Sequence, residues 1–327
     1  MKRWIQAALA AALLAASAAQ AQTVLRFAHY LPESHPMAIA ARHFAEEVAK
    51  RTNGALKVDV FPNQTLGNPD EIMQQTQRGA IDMALPTEGQ FGKFEKAFAA
   101  VMLPFLFDDA AHARRALDGP MHDWLAPVAR HSGFELLGTW EYGFRDMTTK
   151  DKPINSPADV KGLKIRTPPE IQLEAAMAAL GASVQKINFN ELYLALSQGV
   201  VDGEENPVPT IYSIKLYEVQ KHLALTHHIY QGLYHVINAR TWAKLTPEQR
   251  KIVMEESVSA GRLERQLMDA QQGEDLAELQ KHGMQVTRPD LKPFRALMGP
   301  AYEKIAAYAG ADNVRRVEEH AAKARCR

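Results

Sequence analysis

The segment that most restricts the fold is a long helical stretch from Pro247 to His282. Thr246 and Gln249 form a capping box around a proline at the first helical position, and Gly283 supplies a stop signal. A continuous helix over these 36 residues would be roughly 54 Å long at about 1.5 Å per residue. Because one small domain is narrower than that, the helix is predicted to lie across two lobes and to brace them.

The chain length also favours two lobes, since 327 residues exceed the size at which a single hydrophobic core usually stops growing. In the N-terminal third, strand patterns alternate with amphipathic helix patterns in the order βαβαβ, which favours a parallel sheet. The predicted elements are strands at 24–30, 56–61 and 81–85 and helices at 36–51 and 69–78. The predicted fold class is therefore α/β, with two lobes, a ligand cleft between them and the long helix across both.

A second alternation of strands and helices runs from Gly162 to Pro207. It predicts strands at 163–166 and 183–187, helices at 168–180 and 190–198, and a short extended run at 200–201. Ligands of such sheets bind beyond the carboxyl ends of the strands. Arg166, Phe189 and Asn206 lie at or just after three successive strands, so they are expected to line one pocket. An arginine there can hold a carboxylate through two parallel N–H bonds.

Each of these three residue types has an ordinary structural explanation when taken alone. An arginine at a strand end is as often a surface or ion-pair residue, a phenylalanine is more often core, and an asparagine before a proline is more often in a turn. Their joint placement favours a binding site. Arg145, at the end of a strand that begins at Phe134, adds a second cation, and two arginines in one crevice favour an organic anion. Trp140 and Tyr142 on that strand are either core or pocket wall.

Sequence motifs for catalysis and metal binding are absent: no GxSxG, GxxxxGK[ST] or HExxH motif occurs, and no GxGxxG follows the first strand. His227 and His228 are adjacent, so in a strand they face opposite sides and are interpreted as partly exposed residues. Asp202, Glu204 and Glu205 allow an acid–base pair or a cation site, but a solvated turn is the favoured interpretation. No enzymatic activity and no cofactor are predicted.

The first 21 residues are predicted to be a signal peptide. A basic start at Lys2 and Arg3 precedes an apolar run at 4–19 that is too short and too rich in alanine for a bilayer anchor. An A-x-A cleavage signature ends at Ala21, so the mature chain is expected to begin at Gln22 and to be periplasmic. No later apolar run approaches the roughly 20 residues of a membrane helix.

Charge and cysteine content exclude two further classes of protein. The sequence has 38 basic and 38 acidic residues, so there is no basic excess for binding nucleic acid. Cys326 is the only cysteine, which excludes a disulfide framework within the chain.

Motifs along the whole mature chain resemble one family, the solute-binding proteins of tripartite ATP-independent periplasmic (TRAP) transporters. They are LRFAHYLPESHPMAIAARHFAEEVAKRTNG, NQTLGNPDEIMQQTQRGAIDMAL, YGFRDMTT, DVKGLKIRTP, LGASVQKINFNELYLALSQGVVDGEENP and LTPEQRKIV. The resemblance implies two α/β lobes with a cleft between them and a long helix that braces both. It also implies a small organic acid as ligand, TRAP membrane permease subunits as partners, and transport rather than catalysis.

The resemblance also assigns roles to individual residues. The family's principal carboxylate-binding arginine falls on Arg166, and its second cleft arginine falls on Arg145. Its aromatic residue that packs on the ligand falls on Phe189, and its pocket asparagine falls on Asn206.

The variable positions of the family are expected to decide which acid is bound. They fall on His29 and Tyr30 at the end of the first strand and on Thr87, Glu88 and Gln90 in the turn after the third. Of this turn, Thr87 and Gln90 are the candidate site residues. Thr87 and Gln90 stand where sialic-acid-binding members have charged residues, which disfavours sialic acid. The candidate ligands are sugar acids, C4-dicarboxylates and small hydroxy or keto acids.

The two lobes are predicted to comprise residues 22–143 with 232–270 and residues 144–231 with 271–327. Two alternative functions are a secreted enzyme that acts on an organic acid through the carboxylates near Asp202, and the binding protein of an ATP-driven importer. The motifs along the whole chain and the long helix favour the TRAP interpretation.

Overall fold

The computed structural model describes residues 22–325. The predicted signal peptide, residues 1–21, and Cys326 lie outside the described residues. The strands are β1 (Thr23–Ala28), β2 (Leu56–Phe61), β3 (Met83–Ala84), β4 (Phe134–Thr149), β5 (Lys164–Thr167), β6 (Ser183–Lys186), β7 (Gly203–Asn206), β8 (His222–Asn238) and β9 (Gln285–Thr287).

The α-helices connect and cover these strands. They are α1 (Pro36–Arg51), α2 (Pro69–Arg78), α3 (Glu88–Phe91), α4 (Lys96–Ala99), α5 (Ala110–Ala116), α6 (His122–His131), α7 (Ile171–Ala179), α8 (Leu192–Ser197), α9 (Val208–Ser213), α10 (Ala239–Lys244), α11 (Pro247–Lys281), α12 (Leu291–Ala296), α13 (Gly299–Ala309) and α14 (Ala311–Arg325). Within residues 22–325, no helix has the length and apolar character that a membrane crossing requires.

In the described part of the chain the strands form one nine-stranded sheet in the order β2-β1-β3-β8-β4-β7-β5-β6, with β9 beside β8. β1 is parallel to β2 and β3, and β5 is parallel to β6 and β7. Each predicted alternation of strands and helices therefore forms its own parallel group. The group β1–β3 with its helices is called the first lobe, and the group β5–β7 with its helices is called the second lobe.

β4 and β8 connect the two lobes. They are 16 and 17 residues long and pair antiparallel, while β8 also pairs with β3 and β4 also pairs with β7. The residue patterns at 223–230 and 234–239 each predict a strand, so two separate strands are expected where the structure has β8. It is one strand because Gln231 continues the ladder opposite Gly143, where a register shift and a φ of 103° absorb an extra residue. The lobe boundaries proposed here, near Gly143 and Gln231, stay a prediction.

The long helix α11 contains 35 residues and confirms the predicted strut. Near its N-terminus, Glu256 accepts a 2.6 Å hydrogen bond from Arg51 at the end of α1, in the first lobe. Near its C-terminus, Leu279 packs in an apolar cluster with Ile211 of α9, in the second lobe. α11 therefore contacts both lobes.

Trp140 belongs to the core and not to the pocket wall. Its side chain is fully buried in an apolar cluster with Phe27 of β1 and Phe44 of α1. The indole Nε1 donates a 3.0 Å hydrogen bond to the carbonyl oxygen of Ser257 in α11. Because this bond pairs the single polar group of the indole, burial of the ring leaves no unpaired donor.

Three parts of the secondary-structure prediction were wrong. The helix predicted at 168–180 begins only at Ile171, after Glu170 in extended backbone. The sequence pattern at 208–221 predicts a helix, but the segment forms α9 and then a separate 3₁₀ turn. The sequence also predicts two helices after the last strand, but three complete the described C-terminal part.

The third predicted strand of the second lobe was placed too early. Residues 200–201 are not part of the strand, and β7 is Gly203–Asn206. β7 lies between β4 and β5, so its backbone is paired on both sides. Its sequence, Gly-Glu-Glu-Asn, contains no β-branched or aromatic residue and therefore gives no signal for a central strand.

Candidate ligand-binding cleft

A narrow cavity lies between the two lobes, among residues that follow the carboxyl ends of the parallel strands. The volume of the cavity, including its opening to solvent, is about 430 Å³. Seven of the eight predicted site residues line it: Tyr30, Thr87, Gln90, Arg145, Arg166, Phe189 and Asn206. The other lining residues are Pro69, Asp70, Lys93, Tyr142, Pro168, Pro169, Glu170, Asn188 and Gln231.

Arg166, on β5, brings an incompletely paired positive charge to this cavity. The side chain is 1% exposed, and its Nε donates a 2.8 Å hydrogen bond to the carbonyl oxygen of Ile187. Its Nη2 has no hydrogen-bond partner among the described residues. Burial lowers the pKa of Arg166 to about 10, against the opposing attraction of Glu204 and Glu205. A buried cation with a free donor is costly, so an anion that entered the cavity would be stabilised there.

Arg145, on β4, is equally buried, but its charge is balanced by the protein. It forms an ion pair with Glu205 and donates hydrogen bonds to Gln231 Oε1 at 2.6 Å and to Asn206 Oδ1 at 3.1 Å. Burial lowers the pKa of Arg145, but the attraction of Glu205 outweighs it, and the pKa lies above its ordinary value. Arg145 therefore fixes the positions of two residues that line the cavity.

The acidic residues of β7 are buried, so the predicted solvated turn was wrong. Burial raises the pKa of Glu204 to about 7, although Thr148 Oγ1 donates a 2.8 Å hydrogen bond to its carboxylate. Burial also raises the pKa of Glu205, but Arg145 and a hydrogen bond from His228 hold it below its ordinary value. Neither acid is among the residues that line the cavity. Within residues 22–325, these two carboxylates balance buried positive charge and hold neighbouring polar side chains in place.

The two adjacent histidines differ in burial. His228 is buried beside Glu205, with 3.3 Å between Nε2 and Oε2, so its predicted partial exposure was wrong. The side chain of His227 is 38% exposed, as expected. The two rings face different surroundings, although His227 has a φ of 43° and lies in a part of β8 that is not paired with β4.

Asn206, at the end of β7, is held in one orientation. Its Oδ1 accepts hydrogen bonds from Arg145 and, at 3.2 Å, from the hydroxyl of Tyr142. Its Nδ2 donates a 2.5 Å hydrogen bond to Glu204. Tyr142, which the sequence left as either core or pocket wall, lines the cavity. The amide NH₂ group of Asn206 has two donors, and one of them is not used in these hydrogen bonds.

An aromatic wall closes one side of the cavity. Tyr30 follows β1 in the first lobe, and Phe189 follows β6 in the second lobe. Their ring centroids are 5.4 Å apart with the rings at 73°, an edge-to-face contact across the cleft. Tyr142 lies beside them, with its ring centroid 6.1 Å from that of Tyr30.

Thr87 and Gln90 form the first-lobe side of the cavity and cap α3. Thr87 Oγ1 accepts from the backbone N–H of Gln90 at 3.2 Å, and Gln90 Oε1 accepts from the backbone N–H of Thr87 at 3.1 Å. His29, the eighth predicted residue, lies outside the main cavity and lines a smaller one behind Tyr30. Burial lowers the pKa of His29 to about 4, so its ring is neutral near pH 7.

Sequence reasoning missed several polar residues of the cavity. Glu170 immediately precedes α7, four residues after Arg166, and Gln231 lies in the segment that was taken for a break between two strands. Lys93 and Asp70 form an ion pair with 2.6 Å between Nζ and Oδ2. The place of Glu170 in the cavity could have been predicted, because residues that follow the carboxyl end of a parallel strand are expected at the ligand crevice.

Residues 27–308 match the sequence profile of DctP, described as bacterial extracellular solute-binding protein, family 7. The chain belongs to this family. It is 35% identical over 294 residues to the 2,3-diketo-L-gulonate-binding periplasmic protein of Escherichia coli, covering 90% of this chain and 89% of the relative.

Solved structures of other family members have the same fold. A TRAP periplasmic solute-binding protein from a Polaromonas species, bound to D-erythronate, has a TM-score of 0.87 and 33% identity and covers 91% of this chain and 98% of its own. A second, from Roseobacter denitrificans with bound β-D-glucuronate, has a TM-score of 0.88 and 30% sequence identity. The match covers 91% of this chain and 99% of the Roseobacter chain. These likenesses confirm the predicted TRAP solute-binding family and the two-lobed α/β fold.

Membership of the TRAP solute-binding family does not favour the alternatives of an enzyme or a binding protein of an ATP-driven importer. Proteins of this family are periplasmic, bind small organic acids and work with membrane permease subunits. Within residues 22–325, no group of three or more His, Cys, Asp or Glu side chains is arranged to hold a metal ion.

Proposed function

We propose that this TRAP solute-binding protein captures a small hydroxylated organic acid by its carboxylate, closes its lobes over it and delivers it to the permease. The observation that carries the proposal is Arg166, a buried cation whose Nη2 has no hydrogen-bond partner among the described residues. A ligand carboxylate would supply both the missing acceptor and the opposite charge, through two parallel N–H bonds.

The ligands of related proteins support a sugar acid or a small hydroxy acid. The Escherichia coli relative is named for 2,3-diketo-L-gulonate, and the two solved structures contain D-erythronate and β-D-glucuronate. All three are monocarboxylates with several hydroxyl or keto groups. The cavity of this chain offers polar groups for such substituents on Thr87, Gln90 and Gln231.

The remaining side chains of the cavity have complementary roles in this proposal. Arg145 adds positive potential and orients Asn206, whose free N–H bonds the ligand from the side. Phe189 and Tyr30 cover its apolar face. Because a ligand held this way contacts both lobes only when the cleft is shut, its binding favours the closed state.

We also propose that the chain is exported and cleaved after Ala21. The basic start, the apolar run and the A-x-A signature support this site. N-terminal sequencing of protein purified from the periplasm should begin at Gln22.

A thermal-shift screen over organic acids, with mass spectrometry of any co-purified ligand, tests the proposed function. A ligand that binds only the folded protein raises its unfolding temperature. Sugar acids should do so, and the matched neutral polyols, such as erythritol beside D-erythronate, should not. Equal stabilisation by the polyols would contradict carboxylate recognition, and conversion of the added acid into a product would favour an enzyme.

A further inference from the structure

Glu170 places a buried carboxylate in a cleft that is proposed to bind an acid. It belongs to the second lobe, immediately before α7, and is 3% exposed. Both of its oxygens lie 3.1 Å from Thr87 Oγ1 of the first lobe, which donates to them. Gln231 Nε2 on β8 donates a 3.0 Å hydrogen bond to Oε2. Glu170 therefore crosses the cleft and lines the cavity at the same time.

The first lobe is shaped to receive this carboxylate. A Cβ atom added to Gly89 would lie 2.0 Å from Oε2 of Glu170, and its three nearest atoms would all belong to Glu170. The absence of a side chain at position 89 thus creates the space that the carboxylate fills. The capping box of Thr87 and Gln90 fixes the hydroxyl that bonds it. These features indicate that the fold of the first lobe accommodates Glu170 specifically, and that the contact is not an incidental surface contact.

Glu170 keeps the capacity to accept further hydrogen bonds. An ionised carboxylate has about four acceptor sites, and here it receives donors from Thr87 and Gln231 only, as far as the described residues show. Its pKa is raised to about 7 by burial, against the opposing charges of Arg145 and Lys93. Those two cations are already paired, with Glu205 and Asp70. The free acceptor sites of Glu170 are therefore open to donors on a bound molecule.

We propose that Glu170 makes this cleft selective for monocarboxylic acids that carry hydroxyl groups and excludes dicarboxylic acids. This inference rests on the proposed function, in which Arg166 holds the single carboxylate. A ligand hydroxyl donates to Glu170, whereas a second ligand carboxylate has no proton to donate and repels it. The cleft thus combines one site for an anion with one site for a hydrogen-bond donor.

Matched pairs of acids test the selectivity of the wild-type protein. D-Erythronate and meso-tartrate, D-gluconate and D-glucarate, and D-galactonate and galactarate each differ only in a terminal CH₂OH or COO⁻ group. Calorimetry at pH 8, where Glu170 is mainly ionised, should show at least tenfold tighter binding of the monocarboxylate in every pair that binds. Equal or tighter binding of the dicarboxylates would overturn the inference while leaving carboxylate capture intact.

Glu170→Gln isolates the charge of this residue, because the amide keeps its shape. In this variant the preference for the monocarboxylate should fall at least fivefold, mainly through tighter binding of the dicarboxylate. The matched control is Glu174→Gln, which removes the same charge four residues later, in the first turn of α7, at a residue that pairs with Lys186 and does not line the cavity.

The outcomes separate the inference from the proposed function. An unchanged preference in Glu170→Gln, or an equal loss in Glu174→Gln, would overturn the role of Glu170. If none of the six acids binds the wild-type protein, the proposed ligand class itself fails, and the inference fails with it. If Glu170→Gln does not fold, the wild-type ratios still decide the inference.

Discussion

At the scale of single residues, the two cleft arginines differ in how their charges are balanced. Arg145 is paired with Glu205 and bonded to Gln231 and Asn206, whereas Arg166 Nη2 has no hydrogen-bond partner among the described residues. Removing one partner of a buried charge pair destabilises the fold because it leaves the other charge uncompensated, whereas an incompletely paired charge is available for a ligand. We therefore propose that Arg145 mainly maintains the structure of the cleft and that Arg166 binds the ligand.

Glu88 allows a test of the electrostatics behind the cleft. It is buried, and its Oε1 accepts a 2.8 Å hydrogen bond from the backbone N–H of Gly232. Burial raises its pKa from an ordinary value of 4.5 to about 8. Because the folded state holds this proton more tightly than the unfolded state, the resulting stabilisation is complete below about pH 4.5 and is lost as the pH rises to about 8.

Glu88→Gln, which cannot ionise, should therefore gain stability relative to the wild type as the pH rises from 5 to 8. The gain should level off above pH 8 and amount to a few kcal/mol, at about 1.4 kcal/mol per unit of pKa shift. Chemical denaturation at several pH values measures it. A difference that stays constant from pH 5 to 8 would show that Glu88 is not held protonated by burial.

At the scale of elements, the close contact between α11 and β4 depends on Gly261. A Cβ atom at this position would lie 2.9 Å from the carbonyl oxygen of Thr139 and 2.9 Å from Cδ1 of Trp140. Since the neighbouring atoms include backbone, they cannot move aside easily. Gly273 in the same helix has no atom within 4 Å of the added Cβ.

The two glycines of α11 therefore give opposite predictions. Gly261→Ala should destabilise the protein by about 1–3 kcal/mol, because it forces the helix away from β4. Gly273→Ala should stabilise it by about 0.5–1 kcal/mol, through helix propensity. Urea unfolding of the two variants measures both effects. Similar changes in both would mean that α11 does not pack closely on β4.

Much of the element pattern could be predicted from the sequence, because helix caps and hydrophobic periodicity are local. Thr246 and Gln249 marked the start of α11 correctly. β7 could not be predicted, since its buried acidic residues depend on partners that are distant in the sequence, such as Arg145 and Thr148 of the neighbouring strand. Those pairings depend on tertiary structure, which the local sequence does not encode.

The candidate site could also be predicted only in part from the sequence. Arg166, Phe189 and Asn206 could be placed together because the carboxyl ends of parallel strands meet at one edge. The missed residue Gln231 comes from the middle of a long antiparallel strand, where no such rule applies. His29 was expected in the cleft because it ends β1, but it lines a smaller cavity behind Tyr30.

At the scale of the whole molecule, contacts across the cleft define the closed arrangement. Glu170 meets Thr87, and Phe189 meets Tyr30, in each case a residue of the second lobe against one of the first. Opening of the cleft would separate both pairs. The closed state can therefore be disturbed at positions that leave each lobe intact.

Gly89→Ala should act in this way. The three atoms nearest to the added methyl group would all belong to Glu170, so the substitution should hinder closure and weaken ligand binding by on the order of tenfold, about 1.4 kcal/mol. The ligand-free protein should unfold at nearly the wild-type temperature. Calorimetry and small-angle scattering, with Gly273→Ala as the control for an added methyl group, measure binding and compaction. Normal ligand-induced compaction in Gly89→Ala would contradict this role of the contact.

The central claim is that the partly unpaired charge of Arg166 binds the carboxylate of an organic acid. Calorimetry of Arg166→Met with the acid identified by screening tests it most directly, beside Arg145→Met as a comparison. Arg166→Met should lose a hundredfold or more in affinity, since removal of one partner of a buried charge pair costs roughly 3–5 kcal/mol. Its ligand-free unfolding temperature should not fall, whereas Arg145→Met, which removes the arginine paired with the buried Glu205, should be clearly destabilised. Unchanged affinity in Arg166→Met would contradict the claim.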